Sequence, residues 1–363
     1  MSKKKSKLKL AQEQAEAAVN KTNEKIGELG ESTSQIYDEL NTLQLLFDTI
    51  RNVPNDKRLE YERLRKIRLS WKQQADKIEA DYKNAVAKNA GKGAAGVGAG
   101  VAVAALGPTA AMGIATTFGV ASTGTAISTL SGAAATNAAL AWLGGGALAA
   151  GGGGMAAGNA LLALAGPVGW AIAGVALLSS GILLWKGKSD KDRLEDIFTL
   201  ISERDVKSYE LAIVEMNERI SRIADESQQL TNAIEQTKSF GLDYEMMTEA
   251  QQYELGAYVN LMNASTQLLV NPIQGLQPKY SEDDLKEYLS SHEMNLDEKE
   301  EQLIITLANL LYKIVMDDKD RHQLWKSFKG NKKFLASIGM AKKEFDFSIM
   351  ETVSDALECK YLA

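Results

Sequence analysis

The sequence predicts an all-α protein: a long coiled-coil-like helical bundle, an uncharged Gly/Ala-rich helical hairpin and a small C-terminal helical unit. Three observations lead there. Apolar residues recur at alternating steps of three and four over 8–53 and 189–239, the pattern of helices with one buried seam. Only five prolines interrupt 363 residues and aromatics make up 7%, a balance that suits helices better than strands. Between the two periodic stretches, from Gly93 to Trp185, there is no Asp, Glu, Lys, Arg or His, and 21 of the 30 glycines fall in that span.

Residues 8–53 place Val19, Ile26, Leu29, Ile36, Leu40, Leu43, Phe47 and Ile50 in one register, with Thr22 and Thr33 as polar members. Val53-Pro54 ends the helix, because proline disfavours helical geometry at the residue before it. A second helix over 57–90 carries Tyr61, Leu64, Trp71, Ala75, Ile78, Tyr82 and Ala85, with Arg68 breaking the seam. Over 189–239 the register returns through Val206, Tyr209, Ile213, Met216, Ile220, Ile223, Leu230 and Ile234, with Ser227 polar, up to a C-cap at Phe240-Gly241. A further helix is predicted for 242–270, then a loop over 272–279. Ser281-x-x-Asp284 caps the next helix. Over 296–316, Leu303, Ile304, Leu307, Leu310, Leu311 and Ile314 form one broad face. Trp325, Phe328, Phe334, Phe345, Phe347 and Tyr361 supply a small core or a docking surface, and no repeat of 20–50 residues is visible.

The chain therefore divides into a basic N-terminal arm (1–92), the uncharged hairpin (93–185), a second arm (186–271) and an acidic C-terminal unit (272–363). The net charge of −6 hides this asymmetry, since 1–92 hold 19 Lys/Arg against 14 Asp/Glu.

So long a charge-free run must be covered by the rest of the protein, by a partner or by lipid, because surfaces favour polar and charged groups. Leu161 to Trp185 is its most lipid-like window, 25 residues long, and about 20 apolar residues span a bilayer as a helix. Trp142, Trp170 and Trp185 are amphipathic rings, and Lys88, Lys92, Lys186 and Lys188 flank the run as interfacial anchors. Basic residues at both edges keep both ends on one side, so the number of crossings is even. Gly96 with Gly100 and Gly154 with Gly158 are small-xxx-small pairs that let helices approach closely in lipid. Gly107-Pro108 breaks the first apolar stretch, 94–121, and Phe118 and Pro167 are among the residues expected to insert. Ser122 to Asn137 forms a hydroxyl-rich middle without charge, fitted to the tip of the hairpin. Three readings follow: a hairpin that hides in a soluble fold and later inserts, a permanent hairpin of a resident inner-membrane protein whose arms form a cytoplasmic coiled-coil scaffold or sensor, or the core hairpin of a soluble helical interaction protein.

Catalytic, cofactor and metal chemistry is not expected. Gly91-Lys92-Gly93-Ala94-Ala95-Gly96 matches a dinucleotide fingerprint, but it follows a charged helix and lacks the later acidic residue. His292 and His322 stand 30 residues apart with no cysteine near either, and Cys359 is the only cysteine. The acidic run Asp283, Asp284, Glu287, Asp297, Glu298, Glu300 and Glu301 reads as a solvated face. The start, MSKKKSKLKL, has no apolar signal core, so the expectation is synthesis in the cytosol and membrane association in the active state. Lys3, Lys4, Lys5, Lys7 and Lys9 could contact anionic lipid or nucleic acid, but a solvated tail is the favoured reading and no nucleic-acid partner is expected.

Long amphipathic arms at 8–92 and 186–270 around one uncharged head at 93–185 resemble the α-helical pore-forming toxins of the cytolysin A and haemolysin BL type. That resemblance implies a soluble helical bundle whose apolar head inserts as an oligomeric pore. Its partners are then a lipid bilayer and either further copies or related helical subunits. The chain departs from the pattern in its longer, Gly/Ala-rich head and in the added unit at 281–363. The run STGTAISTLSGAAATNAALAWLGGGALAAGGGGMAAGNALLALAGP is also similar to a hydrophobic module of assorted bacterial proteins, which implies a bacterial membrane-acting protein.

Overall fold

In a computed structural model the described residues are 7–89, 188–276, 279–330, 335 and 340–362. Every described element is helical: α1 (Lys7–Thr49), α2 (Asn55–Asn89), α3 (Lys188–Ser239), α4 (Glu249–Val270), α5 (Glu282–Ser291), α6 (Glu298–Leu311), α7 (Asp318–Gly330) and α8 (Ser348–Leu362), with 3₁₀ turns at Tyr244–Met246 and Gln274–Leu276. An isolated bridge between Arg51 and Asp243 is the single extended pairing among these residues.

The first four helices form one bundle, and contacts fix their directions. α1 and α3 share the most extensive interface and run parallel, because residue numbers rise together on both. Gln35 donates to Ser227 at a separation of 192 positions, and Asn52 to Asp243 at 191. α2 runs back along α1: Arg65 meets Asp48, Arg68 meets Gln44, and the Trp71 ring lies 5.7 Å from that of Tyr37. α4 runs back along α3, with Tyr258 donating to Gln236 and Ser265 to Glu226. α2 also packs on α4, where Arg68 Nη1 donates to Thr266 at 3.2 Å. One core joins all four, from Ile26, Leu29, Leu40 and Trp71 to Met216, Leu230, Met262 and Leu269.

Helix ends obey local chemistry. Gly241 takes φ +88° just past α3, a conformation that costs a side-chain-bearing residue strain, as the Phe240-Gly241 signal predicts. The single helix predicted for 242–270 divides in two. Asp243 caps the 3₁₀ turn, and Thr248 and Gln251 form a reciprocal capping box that starts α4 afresh. Ser281 and Asp284 form the predicted box on α5. The predicted helix 296–316 is shorter, Glu298–Leu311, because Lys313 turns to φ 58°. In the acidic run, Asp283, Glu287 and Asp297 are exposed, and some of these groups also cap helix starts. Asp297 and Glu300 exchange backbone and side-chain hydrogen bonds at 3.2 and 2.9 Å, satisfying N–H groups that helix starts leave orphaned. Asp317 and Asp320 repeat that arrangement twenty residues on, and Glu293 and Lys313, also twenty apart, share a positive φ. The two helix starts thus share one local geometry at a spacing of twenty residues.

The C-terminal unit is built on the beginnings of α1 and α3. Leu8, Leu194, Ile197, Phe198 and Ile201 enter one core with Leu285, Leu303, Leu307, Leu324, Phe328, Phe345 and Val353. Asn309, 4% exposed, ties the incoming chain to α6. Its Oδ1 accepts from the backbone N–H groups of Lys279 and Tyr280, and its Nδ2 donates to the carbonyls of Tyr280 and Ile305. Asn309→Leu is therefore expected to lower stability by about 2–5 kcal/mol, since unpartnered buried donors cost about 1–3 kcal/mol each. The measurement is the thermal midpoint followed by circular dichroism, and an unchanged midpoint counts against this anchoring role.

Candidate membrane-active site

The predicted membrane-inserting residues, Gly96 through Trp185, and the anchors Lys92 and Lys186 lie outside the described residues. What the fold defines is how their flanks are presented. α1 and α3 start at one end of the bundle, and the turns at 50–54 and 240–248 close the other. α2 leaves the turn end and runs back towards the starting end, with Lys88 in its final turn. α3 then begins at Lys188. The two junctions of the uncharged run therefore both face away from the closed turns. Among the described residues no helix is long and apolar enough to cross a membrane.

Most of the predicted seam residues enter the shared core of the bundle. Ile26, Leu29, Ile36, Leu40 and Leu43 are buried on α1, as are Ile213, Met216 and Ile223 on α3. Ile220 is only partly buried and packs at the edge of that core. Thr22 and Thr33, the polar members, return their hydroxyls to backbone carbonyls one turn earlier, at 2.8 and 2.9 Å. Ser227 donates to Glu39 across the interface.

Two buried charged groups escape the periodicity reading. Arg68 is 1% exposed. Its partners are neutral, Gln44 at 2.8 Å and Thr266 at 3.2 Å, and its Nε has none. Burial pushes its guanidinium down to about 10. Asp205 is also buried, on the core face of α3, whereas the predicted seam member Val206 is only partly so. Carrying the Met216–Tyr209 register one further turn upstream lands on Asp205, so the signal was present as a charge at an apolar position.

Among the described residues no group of three or more His, Cys, Asp or Glu side chains is placed to hold a metal ion. Cys359 is free and exposed on α8. His292 stacks 4.3 Å from Tyr288, and His322 lies 4.3 Å from Phe347, both as packing partners of aromatic rings. A shallow depression beside α5, about 390 Å³, is lined by Lys286, Leu289, Ser290, Glu293, Met294 and Asn295, with no convergent polar triad. No protein-family model matches the chain, and neither curated proteins nor solved structures give a match.

Proposed function

We propose that this is a membrane-inserting protein, pore-forming or membrane-perturbing, that acts through residues 93–185 and assembles through its helical arms. The observation that carries this reading is the charge-free run itself, interposed between α2 and α3 of one bundle so that both junctions face away from the closed turns. The bundle acts as carrier and the run as effector. Basic flanks keep the carrier on the side of entry, and the hydroxyl-rich 122–137 segment reaches the far side. The α-helical pore-forming toxins supply the mechanistic precedent, and the partners are a lipid bilayer and further copies of the chain or related helical subunits.

Dye release from liposomes by the purified chain is the direct test. Release supports the reading, and an intact dye load at saturating protein sinks it. Topology is read by single cysteines in a Cys359→Ser background with a membrane-impermeant thiol reagent. Ser131→Cys is expected to label only from the far side, and Ser70→Cys and Ser208→Cys only from the near side. Near-side labelling of all three removes the crossing hairpin.

A further inference from the structure

Along α3 the two hydrophobic cores do not meet. The core of the C-terminal unit ends at Ile201, and the bundle core begins at Tyr209. The interval is polar: Ser202 and Asp205 are buried, and the Arg204 side chain is 12% exposed. Arg204 binds groups on both sides of this layer. Its Nε and Nη2 donate to Asp205 Oδ1 at 2.8 and 2.7 Å. Its Nη1 donates to the carbonyls of Leu310 and Tyr312 at 2.9 and 2.7 Å, and the guanidinium lies 4.2 Å from the Tyr312 ring centroid. Those carbonyls end α6, the negative pole of its dipole. Asp205 Oδ2 is buried without a hydrogen-bond partner. One guanidinium thus holds the C-terminal unit to α3 while also neutralising a half-satisfied carboxylate.

We propose that this layer is a proton-responsive joint, in which protonation of Asp205 strengthens docking of the C-terminal unit on α3. A neutral acid removes the cost of an ionised carboxylate in a dry layer. It also leaves Arg204 to the carbonyls of α6. Arg204, the charge that faces Asp205 from α3, opposes this sign, and burial outweighs it. Tyr209 also faces Asp205 from α3, Tyr312 lies beyond Arg204 just past α6, and the parallel register carried back from Gln35 and Ser227 sets Glu13 of α1 level with Asp205. Burial pushes Asp205 up to about 6 even beside Arg204, and it keeps the Tyr209 phenol neutral by raising it well above its ordinary range. An Asp set free by undocking titrates near its ordinary value. The docked form therefore binds the extra proton, and this contribution is full below about pH 4 and lost as pH rises through about 6.

Amide hydrogen exchange of the full chain in solution tests the joint without any membrane. Rates are corrected for the intrinsic pH dependence, and peptides from the start of α3 and from α6 are compared with those of α1 near Leu40. From pH 7.5 to 5, protection at the joint is expected to rise about tenfold while the bundle core stays unchanged. Asp205→Asn is expected to hold the high protection at both pH values. Arg204→Gln is expected to move the midpoint to higher pH, because the cation opposes the upward shift. Only differences between variants are read. A pH response that survives in Asp205→Asn overturns the proposal. If that variant does not fold, a midpoint unmoved by Arg204→Gln overturns it equally.

Discussion

Ala173→Asp is expected to abolish membrane permeabilisation while leaving the helical bundle intact. Ala173 lies midway along Leu161 to Trp185, where the chain offers no countercharge. An aspartate at the centre of a crossing helix costs about 2.5–3.5 kcal/mol on insertion scales, which lowers the inserted fraction by roughly a hundredfold. Dye release and carbonate-resistant membrane binding should fall together, and far-UV circular dichroism in buffer should not change. Full release by Ala173→Asp would show that this stretch does not cross.

Met216→Asp is expected to have the largest effect on the carrier. Met216 is 0% exposed in the shared core of the bundle, and a lone carboxylate there must be ionised without a partner or protonated at a cost. A loss of more than about 4 kcal/mol is expected, in the range reserved for buried charges and large cavities. Ile220→Asp, at the rim, should cost less than half as much, because its carboxylate can reach water. The pair of thermal midpoints reads the register itself: equal losses would mean that the seam does not centre on Met216.

The same contrast explains how much of the fold was legible in the sequence. Period and stop signals located the long helices to within a few residues, because Pro54 and Gly241 act through local backbone geometry. The seam on α1 was legible because no charge interrupts Ile26 to Leu43 in register. Positions such as Ile220 were not separable from Met216, since both are apolar and only the packing of a third helix decides which one faces the core. Asp205 and Arg68 were hidden for the opposite reason. A charge at an apolar register position reads as a break in the pattern, and its partners can come from elsewhere in the chain, as Gln44 of α1 and Thr266 of α4 do for Arg68. The candidate site is read from composition. Its junctions, by contrast, follow from directions, and no single helix carries the parallel sense of α1 and α3.

That parallel sense has a consequence during synthesis. The principal partner of α1 lies about 192 positions downstream, with the whole uncharged run between them. At about 5–20 residues per second, roughly 10–40 s separate the emergence of Leu40 from that of its partner face on α3. For that interval the apolar side of α1 has only α2 to lean on, and the charge-free run leaves the ribosome before the bundle can close. High sequence separation of contacts also slows folding in general. The nascent chain is thus open to holding chaperones until α3 emerges, and docking of the C-terminal unit on the starts of α1 and α3 comes later still.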